Sequence, residues 1–90
     1  MKKSVFLLED NLDLIELFTI LLEEESYQVS AFPTVSLFNK IVNNDKLPDI
    51  FLLDVMLPDG NGAEICEQLK NSPRTKHIPV ILMSANTSAA

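Results

Sequence analysis

The sequence has little cysteine, few basic residues and no long apolar run. Its single cysteine, Cys66, excludes an internal disulfide and a cysteine-based zinc site. Seven Lys and Arg stand against 13 Asp and Glu, a net charge of −6. Such a chain repels phosphate backbones, so direct nucleic-acid binding is not expected. The longest apolar runs have four residues, whereas a secretory signal needs roughly 7–15 and a membrane span about 20. The sequence therefore predicts a soluble, cytoplasmic chain that makes no membrane contact.

The composition that remains is globular, with 47% apolar and 22% charged residues in a chain of 90. This length predicts a single domain, residues 1–90. Three apolar runs are too short for buried helices and are typical of strands buried on both faces of a parallel sheet: Val5–Leu8, Ile50–Leu53 and Val80–Met83. A fourth segment, Tyr27–Phe32, alternates apolar and polar residues, which favours an edge strand.

Helical spacing of apolar residues fills the gaps between these strands. It predicts helices over residues 12–25, 35–42 and 63–70, with Thr34 as the N-cap of the second helix. The first helix is apolar around most of its circumference, so it should have a second apolar neighbour besides the sheet. The order β-α-β-α-β-α-β predicts an α/β fold, with a doubly wound parallel sheet and helices on both faces.

Acidic residues follow the strands where these end. Glu9 and Asp10 come directly after the first strand, Asp54 after the third, and Ser84-Ala85 after the fourth. Sites in open parallel sheets form at the carboxyl ends of the strands. Carboxylates that converge there repel one another unless a cation lies between them. Oxygen ligands of this kind suit Mg²⁺, which the sequence predicts as the cofactor.

Three segments together resemble the receiver domain of a two-component response regulator. They are Val5–Asn11, Asp54–Gly62 and Pro79–Ala85, and their order and spacing match that family over the whole chain. The resemblance implies a flavodoxin-like fold with strand order 2-1-3-4-5, of which this sequence contains the 2-1-3-4 part. It also implies a bacterial phosphorelay protein that is a regulatory phosphoacceptor, not an enzyme beyond self-catalysed phosphorylation and dephosphorylation.

The resemblance assigns roles to five residues. Asp54 is the phosphoacceptor, whose carboxylate would form an acyl phosphate. Asp10, Asp54 and the backbone carbonyl of Met56 are the metal ligands, and Glu9 contributes through water. Ser84 is the switch hydroxyl that would bind the phosphoryl group. The implied function is a phosphorylation-dependent signalling switch, and the implied partner is a histidine kinase or a histidine phosphotransfer protein.

The sequence departs from the family pattern after its fourth strand. The fifth strand, with its lysine and its aromatic switch residue, is missing, and so are the helices that flank it. We therefore expect a domain that is incomplete at its C-terminus, with an open apolar edge at strand 80–83. Such an edge invites self-association with a second chain.

Other departures and alternatives stay open at this stage. Asp10 could be the N-cap of the first helix. Ser26 replaces a common turn glycine, at little cost only if it avoids positive φ, whereas Gly60 and Gly62 are expected to use positive φ in the loop after Asp54.

Two other functions compete with the signalling switch. One is a receiver-like interaction module that does not turn over phosphate. The other is a phosphatase of the haloacid dehalogenase type. That phosphatase is disfavoured because such enzymes need a second aspartate where this sequence has Met56.

Overall fold

The computed structural model describes residues 2–44 and 46–84. Within them the chain forms a four-stranded parallel sheet, a short two-stranded hairpin and three helices. The elements follow in the order β1 (Lys3–Leu8), α1 (Leu12–Glu24), β2 (Tyr27–Phe32), α2 (Val35–Val42), β3 (Ile50–Asp54), β4 (Met56–Leu57), β5 (Gly60–Asn61), α3 (Gly62–Lys70) and β6 (Val80–Met83). Ala85 and the tail 86–90 of the sequence lie outside the described residues.

The main sheet has the order β2-β1-β3-β6, with all neighbours parallel. This confirms the doubly wound α/β fold and the 2-1-3-4 part of the strand order. The strand Tyr27–Phe32 lies at one edge, as its alternation predicts, and β6 lies at the other edge of the described sheet. The hairpin β4–β5 is not predicted by the sequence pattern, because two-residue strands are too short to show a period.

The main core lies on the sheet face that α2 and α3 cover. Phe6 of β1, Phe38 of α2 and Phe51 of β3 are buried there, and each side chain points to the same cluster. The Phe6 and Phe51 ring centroids are 6.1 Å apart and those of Phe38 and Phe51 are 5.8 Å apart, both edge to face. Edge-to-face rings add roughly 0.5–1.5 kcal/mol per pair beyond area burial. This core fixes β1 next to β3.

The opposite sheet face is covered unevenly. Val5 and Leu7 of β1 are fully buried there, Leu52 of β3 is half-buried, and Ile81 of β6 is 53% exposed. The registers place Leu7, Leu52 and Ile81 side by side on this face. The burial of side chains on this face therefore decreases from β1 through β3 to β6. In the described part of the chain, no helix is both long enough and apolar enough to cross a bilayer.

The helix ends show which polar side chains act as caps. The side chain of Asn11 accepts hydrogen bonds from Asp13 N at 2.9 Å and Leu14 N at 3.2 Å, so Asn11 caps α1. The alternative of Asp10 as N-cap is therefore wrong. Thr34 Oγ1 accepts from Leu37 N at 3.2 Å, which confirms Thr34 as the cap of α2.

The turn from α1 to β2 contains the one described non-glycine residue with positive φ. Ser26 has a φ of 68°, and its N–H donates to Glu23 O at 3.0 Å. The sequence-based condition that Ser26 avoids positive φ is not met, because this tight turn needs a left-handed residue after the helix C-cap. The left-handed region costs a residue with a Cβ roughly 1–2 kcal/mol.

Candidate functional site

The sheet brings Glu9 and Asp54 together at the carboxyl ends of its strands. Leu8 of β1 pairs with Leu53 of β3, so the next residue of each strand lies at the carboxyl end of the sheet. The backbone N–H of Glu9 donates to Phe32 O at 3.1 Å, which continues the ladder with β2. The two acids are thus held by backbone pairing, and their closeness follows from the strand order.

Glu9 is the most deeply buried acid of the site, with only 1% of its surface exposed. Its Oε2 accepts a hydrogen bond from Asn11 N at 3.0 Å, whereas Oε1 is buried and has no hydrogen-bond partner. Burial raises the pKa of Glu9 from 4.5 to about 7, the bond from Asn11 opposes this rise, and neighbouring Asp54 adds to it. Two neighbouring carboxylates offer only acceptors to each other, so a proton on Glu9 or a bound cation would stabilise the pair.

Asp54 is also buried, with 4% of its surface exposed. Its Oδ1 accepts a hydrogen bond from Met56 N at 3.2 Å, which helps to orient the carboxylate. A buried, oriented carboxylate is suited to act as a nucleophile or as a metal ligand.

Asp10 completes an acidic cluster that we define as Glu9, Asp10 and Asp54. One carboxylate oxygen of each residue lies within 4.8 Å of the others, and Asp10 is the exposed member. The cluster fits a hard divalent cation, because the donors are all oxygens and the buried Glu9 Oε1 has no hydrogen-bond donor. An exposed member leaves space for the waters that Mg²⁺ retains.

Ser84 and Met56 are placed differently relative to this cluster. Met83 of β6 pairs with Asp54, so Ser84 is one residue beyond the phosphoacceptor candidate on the adjacent strand, and it is exposed. Met56 is exposed and belongs to the hairpin, and its backbone N–H binds Asp54.

The two glycines of the hairpin region allow the backbone to pack closely against its neighbours, and neither adopts an unusual φ. Neither Gly60 nor Gly62 has positive φ, which corrects the expectation from sequence. A Cβ on Gly62 would lie 2.1 Å from Asp54 O, and one on Gly60 would lie 2.8 Å from Val35 Cγ2. The loop after Asp54 therefore packs tightly against both β3 and α2.

Asp59 is a contact residue that the sequence reasoning missed. It lies at the tip of the β4–β5 hairpin, and its carboxylate accepts hydrogen bonds from Val35 N at 2.8 Å and Ser36 N at 3.1 Å. The turn sequence Pro58-Asp59-Gly60 signals a hairpin tip. No local sequence pattern indicates its hydrogen-bond partner, Val35, which lies 24 residues earlier in the chain.

Comparison with known proteins identifies the family. The profile of the response regulator receiver domain family matches residues 5–90 of this chain. The chain therefore belongs to the response regulator receiver domain family. Receiver domains are regulatory domains, not classical enzymes.

Individual relatives agree with this assignment. The chain is 34% identical over 86 residues to the phosphate regulon transcriptional regulatory protein PhoB of Escherichia coli, covering 94% of this chain and 37% of PhoB. It is 34% identical over 89 residues to the polar-differentiation response regulator DivK of Brucella anthropi, covering 94% of this chain and 68% of DivK. The crystal structure of a phosphorylated cyanobacterial phytochrome response regulator, RcpA, superposes with a TM-score of 0.86 at 28% identity, covering 97% of this chain and 68% of RcpA. This chain thus spans well under half the length of PhoB and about two thirds of the other two.

Proposed function

We propose that this receiver domain is a phosphorylation-dependent signalling switch in which Asp54 accepts a phosphoryl group from a histidine kinase or a histidine phosphotransfer protein. The observation that carries the proposal is the buried carboxylate pair. Asp54 and Glu9 lie together at the carboxyl edge of the sheet, and Glu9 Oε1 has no hydrogen-bond donor. Such an excess of buried negative charge is unfavourable without a cation, and it suits a site that binds one together with a phosphoryl group.

The chain's own residues supply positioning and the nucleophile. The Met56 N–H holds the Asp54 carboxylate, one oxygen of which would attack phosphorus. A P–O bond then forms to Asp54 while the P–N bond of the phosphohistidine breaks, and its electron pair stays on the imidazole nitrogen. The exposed Ser84 hydroxyl is proposed to donate a hydrogen bond to the new phosphoryl group.

Asp10, Asp54 and the Met56 carbonyl are proposed to hold Mg²⁺, with Glu9 contributing through water. When bound, Mg²⁺ would offset the negative charge of the carboxylates and of the phosphoryl oxygens. We place this reaction in the bacterial cytoplasm, and the acidic net charge makes direct nucleic-acid binding by this segment unfavourable.

The test is incubation with acetyl phosphate and Mg²⁺, read by intact mass and by peptide mapping. We expect one added phosphoryl group on Asp54, none for Asp54→Asn, and none in EDTA. Asp13→Asn is the matched control, because it removes an exposed acid of α1 that lies outside the acidic cluster. Label on another residue, or uptake by Asp54→Asn, would overturn the assignment.

Metal binding is tested separately by a calorimetric Mg²⁺ titration. Asp10→Asn should weaken binding roughly ten-fold, about 1.4 kcal/mol, because it removes one charged ligand. Asp13→Asn, with the same change of charge outside the cluster, should leave the affinity unchanged. Equal affinities of the wild type and Asp10→Asn would exclude Asp10 as a ligand.

The alternative of an interaction module without phosphate turnover is the second candidate. It is favoured by the described strands of the main sheet, none of which is followed directly by a lysine that could pair with a phosphoryl group at the acidic cluster. Wild-type protein that binds Mg²⁺ but forms no adduct would select this alternative. Membership of the receiver family argues against the haloacid dehalogenase alternative.

A further inference from the structure

The hairpin after Asp54 is held at its tip by a helix from another part of the chain. Its strands pair Met56 with Asn61 and Leu57 with Gly60, so Pro58 and Asp59 form a two-residue turn. The Asp59 carboxylate then binds two N–H groups at the start of α2, those of Val35 and Ser36, across 24 and 23 residues.

These two bonds satisfy N–H groups that have no partner within the helix. A carboxylate at a helix N-terminus is also favoured by the helix dipole. The bond from Val35, followed by that from Ser36, lowers the pKa of Asp59, so Asp59 is charged at neutral pH. Thr34 caps α2 through a different N–H group, that of Leu37.

The other end of the hairpin is fixed to Asp54. Gly62 N donates to Val55 O at 2.9 Å, and a Cβ on Gly62 would overlap the Asp54 carbonyl. Met56, at the start of the hairpin, donates its N–H to Asp54 Oδ1. A continuous set of contacts therefore runs from the N-terminus of α2, through Asp59 and the hairpin, to the Asp54 carboxylate.

We propose that Asp59 is a positioning residue of the phosphoacceptor site, which anchors the hairpin to α2 and thereby holds Met56 in place against Asp54. This inference rests on the proposed function, because Met56 matters there twice. Its N–H orients the carboxylate, and its carbonyl is the proposed third protein ligand of Mg²⁺. Without the anchor, the hairpin loses two charge-assisted hydrogen bonds and Met56 becomes mobile relative to Asp54.

The experiment compares Asp59→Ala, Asp59→Asn and Thr34→Ala with the wild type. Both alanine variants remove capping of α2, so both should lower the urea midpoint of unfolding. Only Asp59→Ala releases the hairpin. We expect a several-fold weaker Mg²⁺ affinity in a calorimetric titration for Asp59→Ala and an unchanged affinity for Thr34→Ala. Asp59→Asn can still accept from Val35 N and should be intermediate.

The kinetic readout separates positioning from general damage. For Asp59→Ala, the rate of phosphorylation by acetyl phosphate should fall at low Mg²⁺ and recover in large part at saturating Mg²⁺. Wild-type Mg²⁺ affinity in Asp59→Ala, or an equal loss in Thr34→Ala, would overturn the proposal.

Hydrogen exchange of the Met56 amide provides a test that needs no metal. Asp59→Ala should accelerate exchange of this amide by several-fold, and Thr34→Ala should not. If the wild type binds no Mg²⁺, the proposed function fails, and the exchange rate still decides whether Asp59 positions Met56. Unchanged protection of the Met56 amide in Asp59→Ala would refute that role.

Discussion

At the scale of single residues, the burial of Glu9 is electrostatically unfavourable. It is buried beside Asp54, and one of its oxygens has no hydrogen-bond donor. The raised pKa of about 7 means that the folded protein without metal binds a proton that the unfolded chain releases near pH 4.5. Between these two values the folded state holds more protons than the unfolded state. Stability therefore falls as the pH rises through this window.

The prediction is that the free energy of unfolding in EDTA decreases by about 2 kcal/mol from pH 5 to pH 7. Urea unfolding at several pH values measures it. Glu9→Gln should remove the slope, whereas Glu16→Gln, an exposed acid of α1, should keep it. Added Mg²⁺ should stabilise the protein more at pH 7 than at pH 5. A flat profile in EDTA would show that Glu9 ionises normally in the folded state.

At the scale of elements, the sequence predicts the four strands of the main sheet and the Thr34 cap of α2, and the family resemblance implies the strand order. Neither predicts the Asn11 cap of α1 or the hairpin. A continuous apolar run such as Ile50–Leu53 indicates a strand that is covered on both faces of the sheet. The short local sequence is therefore enough to predict it. Asp10 and Asn11 are adjacent and both suitable as caps. The choice depends on where β1 ends and Glu9 is buried, which tertiary packing decides. The site acids Glu9 and Asp54 were predictable because parallel strands end at one edge. The role of Asp59 was not predictable, because its hydrogen-bond donors lie in α2, far away in the sequence.

Gly62 gives a prediction in which two element-scale effects oppose each other. It is the first residue of α3, where helix propensity alone would favour alanine by up to about 1 kcal/mol. A Cβ there would lie 2.1 Å from Asp54 O, which is backbone and cannot turn away. Gly62→Ala should therefore destabilise the fold, by roughly 3 kcal/mol. Gly60→Ala, whose nearest contact is the side chain of Val35, should cost less. Urea midpoints for the two variants decide the matter, and a Gly62→Ala protein as stable as the wild type would contradict the overlap.

At the scale of the whole molecule, the described residues bury one face of the main sheet only in part. On the face that carries Val5 and Leu7, burial decreases across the sheet until Ile81 of the edge strand β6 is half exposed. On α1, Leu17, Ile20 and Leu21 are each about half exposed and lie on neighbouring positions of the helix surface. The wide apolar arc predicted for this helix is thus present and is only partly covered by the described residues.

The same surface predicts self-association, because β6 pairs on one side only among the described strands. Exposed apolar area of this kind and the free side of an edge strand both favour contact with a second chain. The 90-residue chain on its own should therefore self-associate, and light scattering should show a mass that rises with protein concentration. Replacing Leu17 and Leu21 together by lysine should weaken association through α1, and Ile81→Lys should weaken it through β6. Asp13→Lys adds positive charge to α1 at an already polar position and serves as the control. A cooperatively unfolding monomer at high concentration would show that four strands and three helices close the core well enough alone.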